Sequence, residues 1–391
     1  MSGSIQISLA LLLAVQVVPP AAAAEIVFEG KSLAEWKART KPQFSLSERQ
    51  DAVFALSSIA QKQMALSGSQ PAQICWVETE IVPTMISLLH DQDTDIRCKA
   101  IDALGRFPKA GKSAAGPLIE LLGDPDEHLR VDAARTLVAI APSEAGRAVR
   151  VFEEVIHRSY SCRGYAAGAI AIIKPEGPKV LLALLDDENP DVRAAAIGTL
   201  RWSPHTTGLG LPELRTLLQD DSASVRRDAV FVVSQMRPPT KEAVSAILPL
   251  LHDRNARVRR EVVVGLTALH ADASQALPEM VKLASDDDDD VRFALAKSLA
   301  GMGSEAIPTL TELLDDKSTS VRVHAARSLG QMGPAARDAV PALKRHLTDM
   351  SEYGVNHVGM RVCHYAGRAL TRILGDKSYL EGLPALPPDG K

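Results

Sequence analysis

The stretch Asp286 to Asp290 sets five carboxylates side by side. Such a run is stable only where a hard cation bridges it, or where water and a positive field offset the repulsion. A calcium loop of the EF-hand kind needs a central Gly and a Glu at its last position. Counting from Asp286, that position is Lys297, and no Gly intervenes. A second candidate, AGKSAAG from Ala110, imitates a phosphate loop, but the first Gly the motif requires is replaced by Arg106, and Gly105 is one residue out of register. The ten His residues include no H-E-x-x-H, and no G-x-S-x-G, Cys–His pairing or paired-carboxylate cleft stands out. No catalytic residue, metal ligand or cofactor is expected from these patterns.

The neighbours of the acidic run explain it better. Its "DVR" ends at Arg292, and related tripeptides end at Arg97, Arg130, Arg163, Arg193, Arg226, Arg259 and Arg322, always 33 or 30 residues apart. A fixed period of this length is the signature of a solenoid of stacked supersecondary units. Three and seven residues after the Arg come small or apolar positions, such as Ala100 with Leu104 and Ala325 with Leu329. With the apolar residue before the Arg they form one helical stripe. Upstream lies a second apolar helix ending in a Leu pair, as at Leu217-Leu218, so each unit is a helical hairpin.

The turn of each hairpin is written in Asp. Four residues before the Arg stand Asp93, Asp126, Ser159, Asn189, Ser222, Asn255, Asp288 and Ser318, all good N-cap types. Six before it, seven of the eight units carry Asp, at 91, 124, 187, 220, 253, 286 and 316. Asp286 is therefore a recurrent turn residue, Asp288 a cap, and Asp289 with Asp290 first-turn acids that suit the positive end of a helix dipole.

These residues carry a resemblance. The first helix of the type "PELRTLLQDD" from Pro212 and the second of the type "STSVRVHAARSLG" from Ser318 resemble the HEAT-repeat superfamily, in the short bacterial form called PBS-lyase HEAT-like repeats. The likeness covers residues 31–375. It implies an all-α fold, a right-handed α-α superhelix (HEAT-like solenoid) of about ten helical hairpins whose second helices line the concave side. It also implies that each recurrent Arg pairs with turn Asp residues in a ladder between units, rather than binding phosphate. Iron hydroxylases built on this repeat carry a His-Glu dipeptide that this sequence lacks. A scaffold is thus favoured, and an enzyme or chromophore-handling lyase-like protein is the alternative.

Composition agrees with an elongated stack. The 391 residues are 46% hydrophobic but only 4% aromatic, so few large anchors are available for one round core. A net charge of −4 gives no general signal for nucleic acid. Residues 1–24 are uncharged, apolar from Ile5 to Val18 and Ala-rich at the end, which reads as a signal peptide cleaved before Glu25 and an exported, periplasmic or secreted protein. The apolar part falls short of the roughly 20 residues that span a bilayer, and Pro19-Pro20 interrupts it, so no stable membrane insertion is expected after cleavage. The remaining divisions are a capping hairpin over 25–60, an insertion loop over 61–76, the repeat solenoid over 77–375 and a flexible tail over 376–391. A second insertion enlarges the last turn at 352–362. Cys75, Cys98, Cys162 and Cys363 lie far apart and are expected as thiols.

On a helix whose buried stripe lies one before and three and seven after the Arg, the positions one and five after it point outward. In the first units these are Cys98, Asp102, Val131 and Arg135, followed by the small residues Gly164, Gly168, Ala194 and Gly198. Then come Arg227, Phe231, Arg260, Val264, Phe293, Lys297, Val323 and Arg327, without an acid among them. Exposed Phe beside Arg suits a contact surface for a protein partner or an extended peptide segment. The alternative is that Asp228 and Glu261 neutralise the arginines while the Phe rings pack between units.

Overall fold

A computed structural model describes residues 27–65, 71–174, 176–201, 211–269, 273–353, 360–381 and 383–384. The expected signal peptide at 1–24 lies outside them. Among the described residues the chain is all-α apart from a two-residue antiparallel pairing of Val27–Phe28 with Lys31–Ser32. Among the described residues ten hairpins follow one another, and their second helices are labelled here α1 (Leu46–Ala65), α2 (Thr94–Arg106), α3 (Glu127–Ile140), α4 (Arg163–Ala171), α5 (Pro190–Leu200), α6 (Ala223–Ser234), α7 (Ala256–Ala268), α8 (Asp289–Ser298), α9 (Thr319–Met332) and α10 (Val362–Leu374). The expected all-α solenoid of about ten hairpins is what the chain forms. It divides into two compact units, one up to Val180 and one from Leu181.

The helices start where the caps allow. Asp93, Asp126, Asn189, Asn255 and Asp288 each accept a hydrogen bond from a backbone N–H of the first turn. Ser222 and Ser318 hold the cap position in extended backbone without that bond. Ser159 accepts instead from the Cys162 N–H at 3.1 Å, and α4 begins only at Arg163.

In the first unit α1, α2 and α3 pack in sequence. Ile96, Ala100, Leu104, Leu129, Ala133 and Leu137 form its fully buried stripe, with Trp36 closing the N-terminal end. In the second unit α5 to α10 pack each against the next. Val225, Ala229, Val233, Val258, Val262, Leu266, Val291 and Leu295 have no exposed surface there. Such small and branched side chains let neighbouring helices approach closely, and the aromatic content stays low because no single centre needs filling.

Two stretches differ from expectation. The stretch 61–76 is helical at both described ends: 61–65 complete α1 and 71–76 open a helix over Pro71–Glu80. Gln, Lys, Met and Ala carry α1 onward, and Pro71 suits a first helical position. The tail is not wholly loose either. Residues Lys377–Leu380 make a 3-10 turn, and His364 Nε2 donates to the Pro384 carbonyl at 2.9 Å, so the tail folds back on α10. Of the insertion at 352–362, the described ends are tied by a bridge between Glu352 and Arg361; 354–359 lie outside the described residues.

Candidate functional site

The recurrent Arg residues are structural. In the second unit Arg193, Arg226, Arg259 and Arg292 each grip both carboxylate oxygens of the next unit's turn Asp, at 2.6–3.1 Å: Asp220, Asp253, Asp286 and Asp316 respectively. Arg322 meets Asp349 at 2.9 Å. Each guanidinium also donates to the carbonyl of its own unit's turn Asp, as Arg226 does to Asp220 at 2.7 Å. The same carboxylates accept from the backbone N–H two residues on, as Asp253 does from Asn255 at 2.8 Å. One Asp thus shapes its turn and receives the Arg of the unit before it. Burial pushes these carboxyls up, but the Arg hydrogen bonds, the backbone donors and the Arg charges outweigh it and hold Asp220, Asp253 and Asp316 below the usual range.

In the first unit the ladder is less regular. Arg49 meets Asp91, and Arg97 stands 3.8 Å from Asp124. Arg130 faces a unit whose turn carries His157 where Asp belongs, and its buried Nε has no hydrogen-bond partner. The acidic run is absorbed in the same scheme. Asp286 and Asp287 take Arg259, Asp288 caps α8, and Asp290 stands 3.9 Å from Arg260. Among the described residues no group of three or more His, Cys, Asp or Glu is placed to hold a metal ion.

Nor does the Cys363–His364 contact make a nucleophile and its base. The Sγ to Nδ1 distance is 3.9 Å, but Nδ1 accepts the Arg361 N–H at 3.0 Å and Nε2 donates to Pro384. His364 is spent on fastening the helix start and the tail.

The outward strip of the second unit is partly as expected. Arg260, Val264, Phe293 and Lys297 line one groove of about 510 Å³ between α7 and α8, together with Thr267, Ala268, Asp290, Ala294 and Ser298. Val264, 47% exposed, is its most open apolar residue. Phe293 is half-buried, its ring 4.3 Å from His324, which stacks on toward Tyr353. Lys297 and Arg327 are exposed and meet no carboxylate among the described residues.

Three strip residues are placed differently. Val323 is fully buried, as is its counterpart Val131. At the position one after the Arg these two Val side chains are covered, whereas Arg260 reaches out. Arg227 is half-buried and bound to Asp228 at 2.9 Å. Phe231 lies beneath the Arg201 guanidinium, 4.0 Å from ring centre. Arg201 joins Asp228 at 2.8 Å and Glu261 at 3.6 Å, so the neutralising arrangement holds at α6 while the groove stands open beside it. Burial raises the Glu261 carboxyl, against the pull of Arg201, Arg227 and Arg260.

Sequence reading missed Arg201, eight residues past the Arg of its unit, because the outward rows considered ended five past it. It also missed Phe54, 60% exposed, five after Arg49 on α1. Arg49 meets Asp91 as the recurrent Arg residues meet their turn Asp, so the same offset of five leads to Phe54.

A family model described as HEAT repeats matches residues 82–171, 149–231, 211–300 and 277–358. Among solved structures, the chain is similar to a Kap121p mutant, at 14% identity and TM-score 0.57, covering 87% of this chain and 41% of that one. It is similar to Kap121p bound to Nup53p, at 15% identity and TM-score 0.55 with the same coverage. A third is the karyopherin Kap121p bound to the extreme C-terminus of the protein phosphatase Cdc14p, at 14% identity and TM-score 0.56, covering 89% and 42%. The chain thus spans about two fifths of the length of these structures, and at such identity the likeness is one of fold. No curated protein matches the sequence.

Proposed function

This chain belongs to the HEAT-repeat family, and on that footing we propose that it is a non-catalytic, exported scaffold that binds an extended segment of a partner protein on the second helices of its C-terminal unit. The observation that carries the reading is the groove between α7 and α8. Its volume of about 510 Å³ is enough for side chains of a peptide, its floor offers Val264 and Phe293, and cations stand at its rim. An open apolar floor edged by Arg and Lys is the composition of a contact site. Arg193, Arg226, Arg259, Arg292 and Arg322 are committed to the ladder, and His364 to fastening the helix start and the tail. Recognition needs only the surface that is present. The Kap121p structures bound to Nup53p and to the extreme C-terminus of Cdc14p support protein binding as a use of this fold.

Export rests on the uncharged apolar segment and Ala-rich end of residues 1–24. Among the described residues no helix is long and apolar enough to cross a membrane.

The test pairs the two claims. The chain recovered from an expressing cell's envelope fraction should begin at or near Glu25 on N-terminal sequencing; full-length protein in the cytoplasm contradicts export. Val264→Glu, placed at an exposed site so that the fold is kept, should abolish capture of the partner that the wild-type chain retrieves. Equal capture by a folded Val264→Glu chain contradicts the groove.

A further inference from the structure

Within that groove reading, on which it rests, we propose that the occupant is an acidic segment in polyproline II conformation, with an apolar side chain on Val264 and Phe293 and carboxylates three and six residues away on Lys297 and Arg327. The argument begins from the row of positions five after each recurrent Arg. On successive helices α7, α8 and α9 these are Val264, Lys297 and Arg327, all exposed. Packed helices lie about 8–10 Å apart, so the row presents one contact per such step. A polyproline II chain advances about 3.1 Å per residue with three residues per turn, which brings one side chain to the same face about every 9 Å. A β-strand fails this match, because its residues three apart point to opposite sides.

Charge fixes the chemistry of the segment. Lys297 and Arg327 have no carboxylate partner among the described residues, whereas the neighbouring arginines are answered: Arg227 by Asp228, Arg201 by Asp228 and Glu261, Arg260 at longer range by Asp290. Their field reaches inward to His324, whose imidazole is held down first by burial and then by the charges of Arg327 and Lys297. Two unanswered cations beside an apolar floor suit an acidic peptide with one apolar anchor. A nucleic acid would use the cations and leave Val264 idle. Because a row of three contacts does not fix chain direction, the pattern is apolar-x-x-acid-x-x-acid read either way.

The experiment uses the mature chain from Glu25 and fluorescent peptides carrying Leu-x-x-Glu-x-x-Glu, or its reverse, on a Pro/Ala background. Anisotropy should show at least one orientation binding about tenfold more tightly than its Lys-for-Glu counterpart and than a peptide with Glu two and four residues from Leu. Lys297→Glu with Arg327→Glu, both exposed, should reverse the Glu-over-Lys preference with the helical circular dichroism unchanged. Equal binding of Glu and Lys peptides, an unchanged preference in the charge-reversed chain, or binding of single-stranded DNA that depends on Lys297 and Arg327 but not on Val264 overturns the proposal. Selection from an unbiased peptide display separates the levels. Ligands that need Val264 but carry no acids at this spacing overturn the proposal alone, and ligands indifferent to Val264 overturn the groove reading itself.

Discussion

Arg226 holds Asp253, 27 residues along the chain, with two parallel hydrogen bonds at 2.7 and 2.8 Å, both side chains nearly sealed from solvent. Removing one member leaves the other charge buried and unanswered. Arg226→Ala should therefore cost about 3–5 kcal/mol in urea unfolding, while Arg226→Met with Asp253→Leu should recover most of that. The exposed pair Arg345–Asp315 is the control: its loss should cost about 0–1 kcal/mol. A small effect of Arg226→Ala would mean the ladder does not hold the units together.

The ladder also sets the acid limit of the fold. Burial raises Asp220, Asp253, Asp286, Asp316 and Asp349, but Arg hydrogen bonds, backbone donors and Arg charges hold all five below the ordinary Asp range. The unfolded chain binds these protons more readily, so their stabilisation is fully present above the unfolded value of about 3.9 and is lost as pH falls through the lowered folded values. Glu261 runs the other way: burial raises it, so its ionisation costs stability as pH rises from about 4.3 through the raised folded value. Urea midpoints across this range should show both slopes, and Glu261→Gln should abolish only the second.

Two glycines make opposite predictions. A Cβ on Gly177 would run into the Ile170 carbonyl, so Gly177→Ala should destabilise by about 1–3 kcal/mol. A Cβ on Gly168 meets nothing within 4 Å, so Gly168→Ala should stabilise α4 by about 0.5–1 kcal/mol. Thermal melts of the two variants check the pair.

The repeat was legible because its grammar is local. Asp124 and Asp253 mark turns, Asp126 and Asn255 mark helix starts, and Leu104 or Leu266 marks the buried stripe, each at a fixed offset from an Arg. What the period could not tell was how far a side chain reaches past its neighbours. Val323 and Arg260 hold the same place in the repeat, yet one is buried and the other exposed. Arg201 belongs to the same class of miss, since its stacking on Phe231 is a contact between units and not a feature of either. The helix over Pro71–Glu80 was hidden because it interrupts the period on which the reading relied.

Stacking, rather than any one hairpin, stabilises the second unit. Leu200, 1% exposed on α5, sits in the stripe that the next hairpin covers. Leu200→Asp should raise hydrogen exchange in α6 as well as α5, as expected for units that are stable only through their neighbours. Exchange confined to α5 would show that the hairpins stand alone.

Site-specific photo-crosslinking tests the central claim most directly. A benzophenone side chain at position 264 faces the groove, whereas one at Glu312 lies exposed on a first helix of the same unit. In envelope preparations, the account predicts a covalent adduct with one partner protein from position 264, reduced by Lys297→Glu with Arg327→Glu, and none with that partner from position 312. An adduct from 312 and none from 264 would contradict it.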